Sequence, residues 1–242
     1  MSTPFFGEFM GTLVLILLGN GVVANVLLRR SKAEGAGWLA IAAGWAFAVT
    51  IGVFTAKACG SADAHLNPAV TLGMAVVSGD FSRVGPFLLA QVLGAFCGAV
   101  LVWLHFLPHW RITEIPDLKL ACFATSPAIR APLCNLVSEI VGTFVLVLGV
   151  CAIFSKTVSP AGVAPGLGPY LVGVLVWSIG LSLGGTTGYA INPARDFGPR
   201  IAHALLPLGK KGGSDWGYAV IPIAGPLAGA AIAGLFARTI HF

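Results

Sequence analysis

Two short stretches carry groups that can act on a small molecule without making a covalent bond to it. Asn67-Pro68-Ala69 and Asn192-Pro193-Ala194-Arg195 repeat one wording in distant parts of an apolar chain. In each, Asn is a favoured N-cap. Pro at the first helical position loses no hydrogen bond, because its N–H would be unpaired there, and its φ is already helical. A helix start leaves its first N–H groups free and carries roughly half a positive elementary charge. The amides of Asn67 and Asn192 can each offer an N–H to a hydroxyl or water oxygen, and Arg195 adds a permanent charge with a fork of donors. Such groups orient a neutral hydroxylated molecule and repel cations. Two carboxylates, Glu8 and Glu139, lie in apolar runs, where they are costly unless paired. They are expected to accept backbone N–H bonds.

Other chemistry is excluded. No Ser/His/Asp set, catalytic acid pair or metal cluster can be placed on one face, so no enzyme, cofactor or metal is expected. The five cysteines have no metal spacing and read as small apolar fillers; Cys122 and Cys134 share a loop and could pair in an oxidising compartment. The net charge of +5 is scattered through short loops, so nucleic acid is not expected as a partner.

The elements that must position these groups are membrane helices. The chain of 242 residues is 57% hydrophobic and 10% charged, with mean hydropathy +0.90. That charge content falls far below the roughly 25% of soluble proteins. Hydropathy predicts six spans at about 5–28, 38–56, 84–106, 136–154, 170–183 and 218–236. The 32 glycines suit close helix crossings, and Gly94/Gly98 and Gly225/Gly229 have small-xxx-small spacing. No stretch reads as a second domain, and the first span lacks the basic flank of a signal peptide.

The halves repeat. Glu8, Gly11, Thr12, Val14 and Leu15 align in register with Glu139, Gly142, Thr143, Val145 and Leu146, and Gly94/Gly98 align with Gly225/Gly229. The chain reads as one domain, 1–242, made of repeats at about 1–120 and 130–242, with the connection 107–132 as midpoint. Three spans per half, an odd number, invert the second copy. Each half also leaves a surplus segment, 66–78 and 191–206, able to support a helix of about 15 Å against a hydrocarbon core of about 30 Å. These must be re-entrant, meeting N-terminus to N-terminus near the midplane. Irregular backbone at that depth is tolerated only where it is buried or lines a watery cavity, so a pore is predicted.

Six spans, duplicated halves and paired triplets resemble the major intrinsic proteins, the aquaporins and glycerol facilitators. The specific segments are His65-Leu66-Asn67-Pro68-Ala69-Val70-Thr71 and Asn192 through Pro199, and the resemblance covers the whole chain. It implies an all-α membrane fold of six spans and two half-helices in inverted repeats, one pore per subunit and a homotetramer. Asp196 directly after Arg195 resembles the glycerol-conducting branch. The constriction carries over onto Trp45, Gly180, Tyr189 and Arg195, a set like the glycerol type except that Tyr189 stands where Phe is usual. The resemblance implies a passive channel for glycerol, similar neutral solutes and water that excludes ions and protons. A water-selective pore is the rival, against which Gly180 argues because such members have His there. An ion-coupled transporter would need free intramembrane acids.

Structural readings stand beside these. An Asn can cap a helix and do nothing more, Arg195 can snorkel, and Trp45 can anchor at an interface. Asp196 is expected to cap or neutralise locally, and His65 to hold the first re-entrant loop. The resemblance implies cytoplasmic termini. The positive-inside rule favours the reverse, since Arg29, Arg30, Lys32, Arg111, Lys119, Arg130, Lys210 and Lys211 would then lie outside and only Lys57, Arg83, Lys156 and Arg238 inside.

Overall fold

A computed structural model describes residues 3–240. It contains ten helices among those residues: α1 (Pro4–Leu27), α2 (Gly37–Ala58), α3 (Pro68–Ser78), α4 (Val84–His105), α5 (Leu107–Ile112), α6 (Pro116–Ala121), α7 (Pro132–Phe154), α8 (Leu167–Leu183), α9 (Pro193–Leu205) and α10 (Ile221–Thr239). Five are long and apolar enough to cross a membrane: α1, α2, α4, α7 and α10. The sixth expected span, α8, has 17 residues, a rise of about 26 Å. The half-length helices α3 and α9 have 11 and 13 residues. At about 16 and 20 Å they stop partway through a hydrocarbon core of about 30 Å.

The expected midpoint loop holds α5 and α6, six residues each, which hydropathy does not find. Helices this short cannot sustain themselves alone. These begin on prolines, Pro108 and Pro116, at their first turn and are held by packing, with Trp110 and Leu120 buried.

Two bundles interlock. Helix α1 packs on α2 and α4, while α7 packs on α8 and α10. Each half-helix then crosses to the other bundle: α3 lies against α10 and α7, and α9 lies against α4. Close approach needs missing side chains. A Cβ at Gly98 of α4 would run into the Leu13 carbonyl of α1, and one at Gly229 of α10 into the Ile140 carbonyl of α7. Most long helices have weakly amphipathic sequences, because lipid takes the face water would take in a soluble protein. Leu39, Phe47, Leu89, Val137, Leu181 and Leu235 are all exposed.

Candidate functional site

The two half-helices begin face to face. Asn67 Oδ1 accepts the Ala69 N–H at 2.8 Å, and Asn192 Oδ1 accepts the N–H groups of Ala194 and Arg195 at 3.0 and 3.2 Å. Each cap also reaches across the junction. Asn67 Nδ2 donates to the Ile191 carbonyl at 2.8 Å, and Asn192 Nδ2 donates to the Leu66 carbonyl at 2.9 Å. An amide nitrogen has two hydrogens, so one N–H of each Asn remains for another acceptor.

Those carbonyls point across because their residues are left-handed. Leu66 has φ 54° and Ile191 φ 42°, with Ala64 and Tyr189 also positive two residues earlier. For a β-branched residue such as Ile191 this is a true outlier, costing about 1–3 kcal/mol. The carboxylates hold the turns there. Glu8 accepts the N–H groups of His65 and Leu66 at 2.8 and 2.7 Å, and Glu139 those of Ala190 and Ile191 at 3.0 and 2.8 Å. Glu8 has two more donors, the Ser61 hydroxyl at 2.7 Å and Gln91 Nε2 at 2.8 Å. Gln91 also donates to Thr71 Oγ1, which lies 3.2 Å from His65 Nδ1 and donates to the Asn67 carbonyl. His65 therefore braces its loop while lining the adjoining cavity.

That cavity, about 730 Å³, runs along the junction. One end is lined by Lys57, Asp63 and Phe154, and Asn67 and Asn192 line its middle. Trp45, Tyr189 and Arg195 stand together at the other end. The walls between are aliphatic, including Leu15, Val70, Leu146 and Val176.

At the Arg195 end the packing is specific. The Arg195 guanidinium carbon lies 4.3 Å from the centroid of the Trp45 ring, a cation–π distance. A Cβ at Gly19 of α1 would run into the same ring, so its absence lets Trp45 sit there. Arg195 also donates to the Phe123 carbonyl at 3.4 Å. Gly180 faces Tyr189: a Cβ there would fall 2.8 Å from both the ring and the hydroxyl. The four residues thus converge, with Gly180 supplying room for Tyr189.

Asp196 does not face the cavity. Wholly buried, it accepts the Thr125 N–H and hydroxyl, each at 2.7 Å, and pairs with Arg200 Nε at 2.7 Å. Arg200 in turn donates to the carbonyls of Thr125, Ser214 and Asp215. This hub ties α9 to the two long loops on its side. The loop it anchors carries Phe123, the acceptor for Arg195.

Sequence reasoning passed over Ser61, Gln91, Thr125, Arg200 and Trp38. Arg200 had a signal, since it stands four residues after Asp196 on one helix, the spacing of an ion pair. Gln91 had one too, as a lone amide inside an apolar span. The five cysteines are free.

The chain matches the Major intrinsic protein family over residues 2–237. It is 54% identical to glycerol uptake facilitator protein 3 of Lactiplantibacillus plantarum over 237 residues, covering 97% of this chain and 95% of the relative. It is 53% identical to a probable glycerol uptake facilitator protein of Thermotoga maritima over 227 residues, covering 93% and 94%. The X-ray structure of the aquaglyceroporin from Plasmodium falciparum superposes with a TM-score of 0.83 at 27% identity, covering 98% of this chain and 95% of that one. The interlocked bundles, the two opposed half-helices and these matches lead to one conclusion: the chain belongs to the major intrinsic protein family.

Proposed function

We propose that this chain is a passive membrane channel for glycerol and related small neutral solutes, which also passes water while holding back ions and protons. The observation that carries the reading is the pair of opposed helix starts, capped by Asn67 and Asn192, in the middle of a cavity that continues to Arg195. Two positive helix ends raise the energy of a cation at that point, and a hydrated proton is a cation. The spare N–H of each Asn donates one hydrogen bond to a passing oxygen and so interrupts the chain along which protons would hop.

Trp45, Gly180, Tyr189 and Arg195 form the proposed selectivity filter. Arg195 offers N–H donors to solute hydroxyls and a charge that cations must pass. The aromatic faces of Trp45 and Tyr189 suit a carbon backbone, and a neutral polyol exchanges hydrogen bonds there at little net cost. Pro68, Ala69, Pro193 and Ala194 set the helix starts. Asp196, Glu8, Glu139 and His65 act through the loops they hold. The whole chain serves as one channel domain of inverted halves, 1–120 and 130–242.

The transporter alternative needs an acid free to bind an ion. Glu8 and Glu139 already accept donors on both carboxylate oxygens, which favours a channel. A homotetramer with termini on the cytoplasmic side is part of this proposal, in keeping with the family resemblance. Several basic residues that oppose this orientation have structural partners. Lys119 Nζ donates to the carbonyls of Leu208 and Lys210, and Lys211 Nζ caps the end of α9 on those of His203, Ala204 and Leu206. Burial lowers the pKa of both ammonium groups. A cysteine introduced at Lys32 should react with an impermeant thiol reagent outside intact cells. Protection there would reverse the orientation.

The central test is stopped-flow light scattering on proteoliposomes. Glycerol permeability should exceed that of empty liposomes, and its absence would overturn the reading. Gly180→His with Trp45→Phe should lower glycerol flux more than water flux; equal losses would remove the filter assignment.

A further inference from the structure

We infer that Trp38, in the first turn of α2, is the residue that positions Tyr189 and so sets the width of the channel's constriction; the inference rests on the filter reading above. Tyr189 is 6% exposed, and its hydroxyl has no partner among the described residues. No hydrogen bond therefore fixes the ring. Its backbone is held by the left-handed turn and by Glu139 on the next N–H, but the side chain is placed by packing alone. On one side it lies against bare backbone at the end of α8, where a Cβ at Gly180 would fall 2.8 Å from the ring and one at the capping Gly184 2.7 Å from it. On another side stands Trp38, edge-on, with ring centroids 5.8 Å apart and planes at 75°.

Trp38 is itself fixed, unlike the ring it supports. Its indole N–H donates to the Gly180 carbonyl at 3.0 Å. A Cβ at Gly184 would fall 2.6 Å from the indole, so the same stripe of α8 receives both aromatic rings. An indole that served only as an interfacial anchor would turn its N–H to water or headgroups. Here the N–H is spent on a residue of the constriction. Trp38 is 40% exposed, so its loss opens a path for Tyr189 to swing outward rather than an internal void. A ring that can retreat leaves a wider opening between Tyr189 and the Trp45–Arg195 pair. The property that changes is discrimination by solute width.

The test measures water, glycerol and erythritol, a four-carbon polyol, in proteoliposomes holding the intact protein or its Trp38→Ala, Trp38→Phe and Tyr189→Ala variants. Trp38→Ala should raise the erythritol-to-glycerol permeability ratio by about tenfold, the scale on which one methylene of room discriminates substrates. Trp38→Phe, which keeps an aromatic edge but loses the N–H, should raise it by a smaller factor. The Trp38→Ala/Tyr189→Ala double variant should match Tyr189→Ala alone, because the residues act as one unit. An unchanged ratio in Trp38→Ala beside a raised one in Tyr189→Ala would overturn the role of Trp38 and leave the filter standing. Unchanged ratios in both would overturn the filter itself. Additive effects, or equal loss of all three permeabilities in both Trp38 variants, would mean that Trp38 holds the bundle and not Tyr189.

Discussion

The two re-entrant segments share a frame but differ in their fittings. Both have an Asn cap on a Pro start, a left-handed residue before the cap and a carboxylate on the two preceding N–H groups. Beyond the shared Ala the copies diverge. Where the second has Arg195, Asp196 and Arg200, the first has Val70, Thr71 and Ala75. Each carboxylate also has a hydroxyl beside it, Ser61 for Glu8 and Thr187 for Glu139, but the first copy adds Gln91, while the matching position in the second is Pro222, which has no donor to give. The shared parts build a junction that needs two equal helix ends. The unshared parts build the proposed constriction, which one side alone can supply. On the proposed reading, duplication accounts for the barrier to charge, and divergence for the choice of solute.

The largest expected effect comes from breaking the hub found only in the second copy. Arg200→Met leaves Asp196 as an uncompensated buried charge and should cost about 3–5 kcal/mol. Thermal unfolding in detergent should show a much lower midpoint, and an unchanged midpoint would mean that the pair does not hold α9. Next come the carboxylates. Glu8→Gln turns an amide N–H toward a cluster of four donors, whereas Glu139→Gln meets the two backbone N–H groups and the Thr187 hydroxyl. With each unsatisfied buried donor costing about 1–3 kcal/mol, Glu8→Gln should be the more destabilising of the two by the same assay. Equal losses would erase the asymmetry. Caps follow at about 1–2 kcal/mol. Asn192→Ala frees two N–H groups, one of them that of Arg195, and Asn67→Ala frees one, so glycerol permeability should fall further in the first variant. Smallest is Arg130→Gln, which breaks the exposed pair with Asp215 and should shift stability by less than about 1 kcal/mol, unlike the buried pair beside it.

Much of this frame was legible in the chain. The spans follow from hydropathy, because lipid demands long apolar helices, and the half-helices from triplets that start a helix too short to cross. Glu8 and Glu139 were legible as paired acceptors because a buried carboxylate has few other options. The second layer was not. Ser61, Gln91 and Thr125 are ordinary residues whose value lies in reaching a carboxylate far along the chain. Trp38 passed as the first residue of an apolar span, since nothing local says that its N–H will meet a carbonyl of α8. The short helices α5 and α6 were missed because packing, rather than local periodicity, sustains them.

The amino-acid order settles which segments cross the bilayer, which turn back and where helices begin, because these depend on hydropathy and on the backbone preferences of neighbouring residues. Which side chains meet at the constriction is a different kind of fact. Trp45 lies against Arg195, and Tyr189 against Gly180 and Trp38, only because interlocked bundles bring α2, α8 and α9 together there. Contacts between residues remote in the chain are chosen by packing, and packing exists only once the helices have docked.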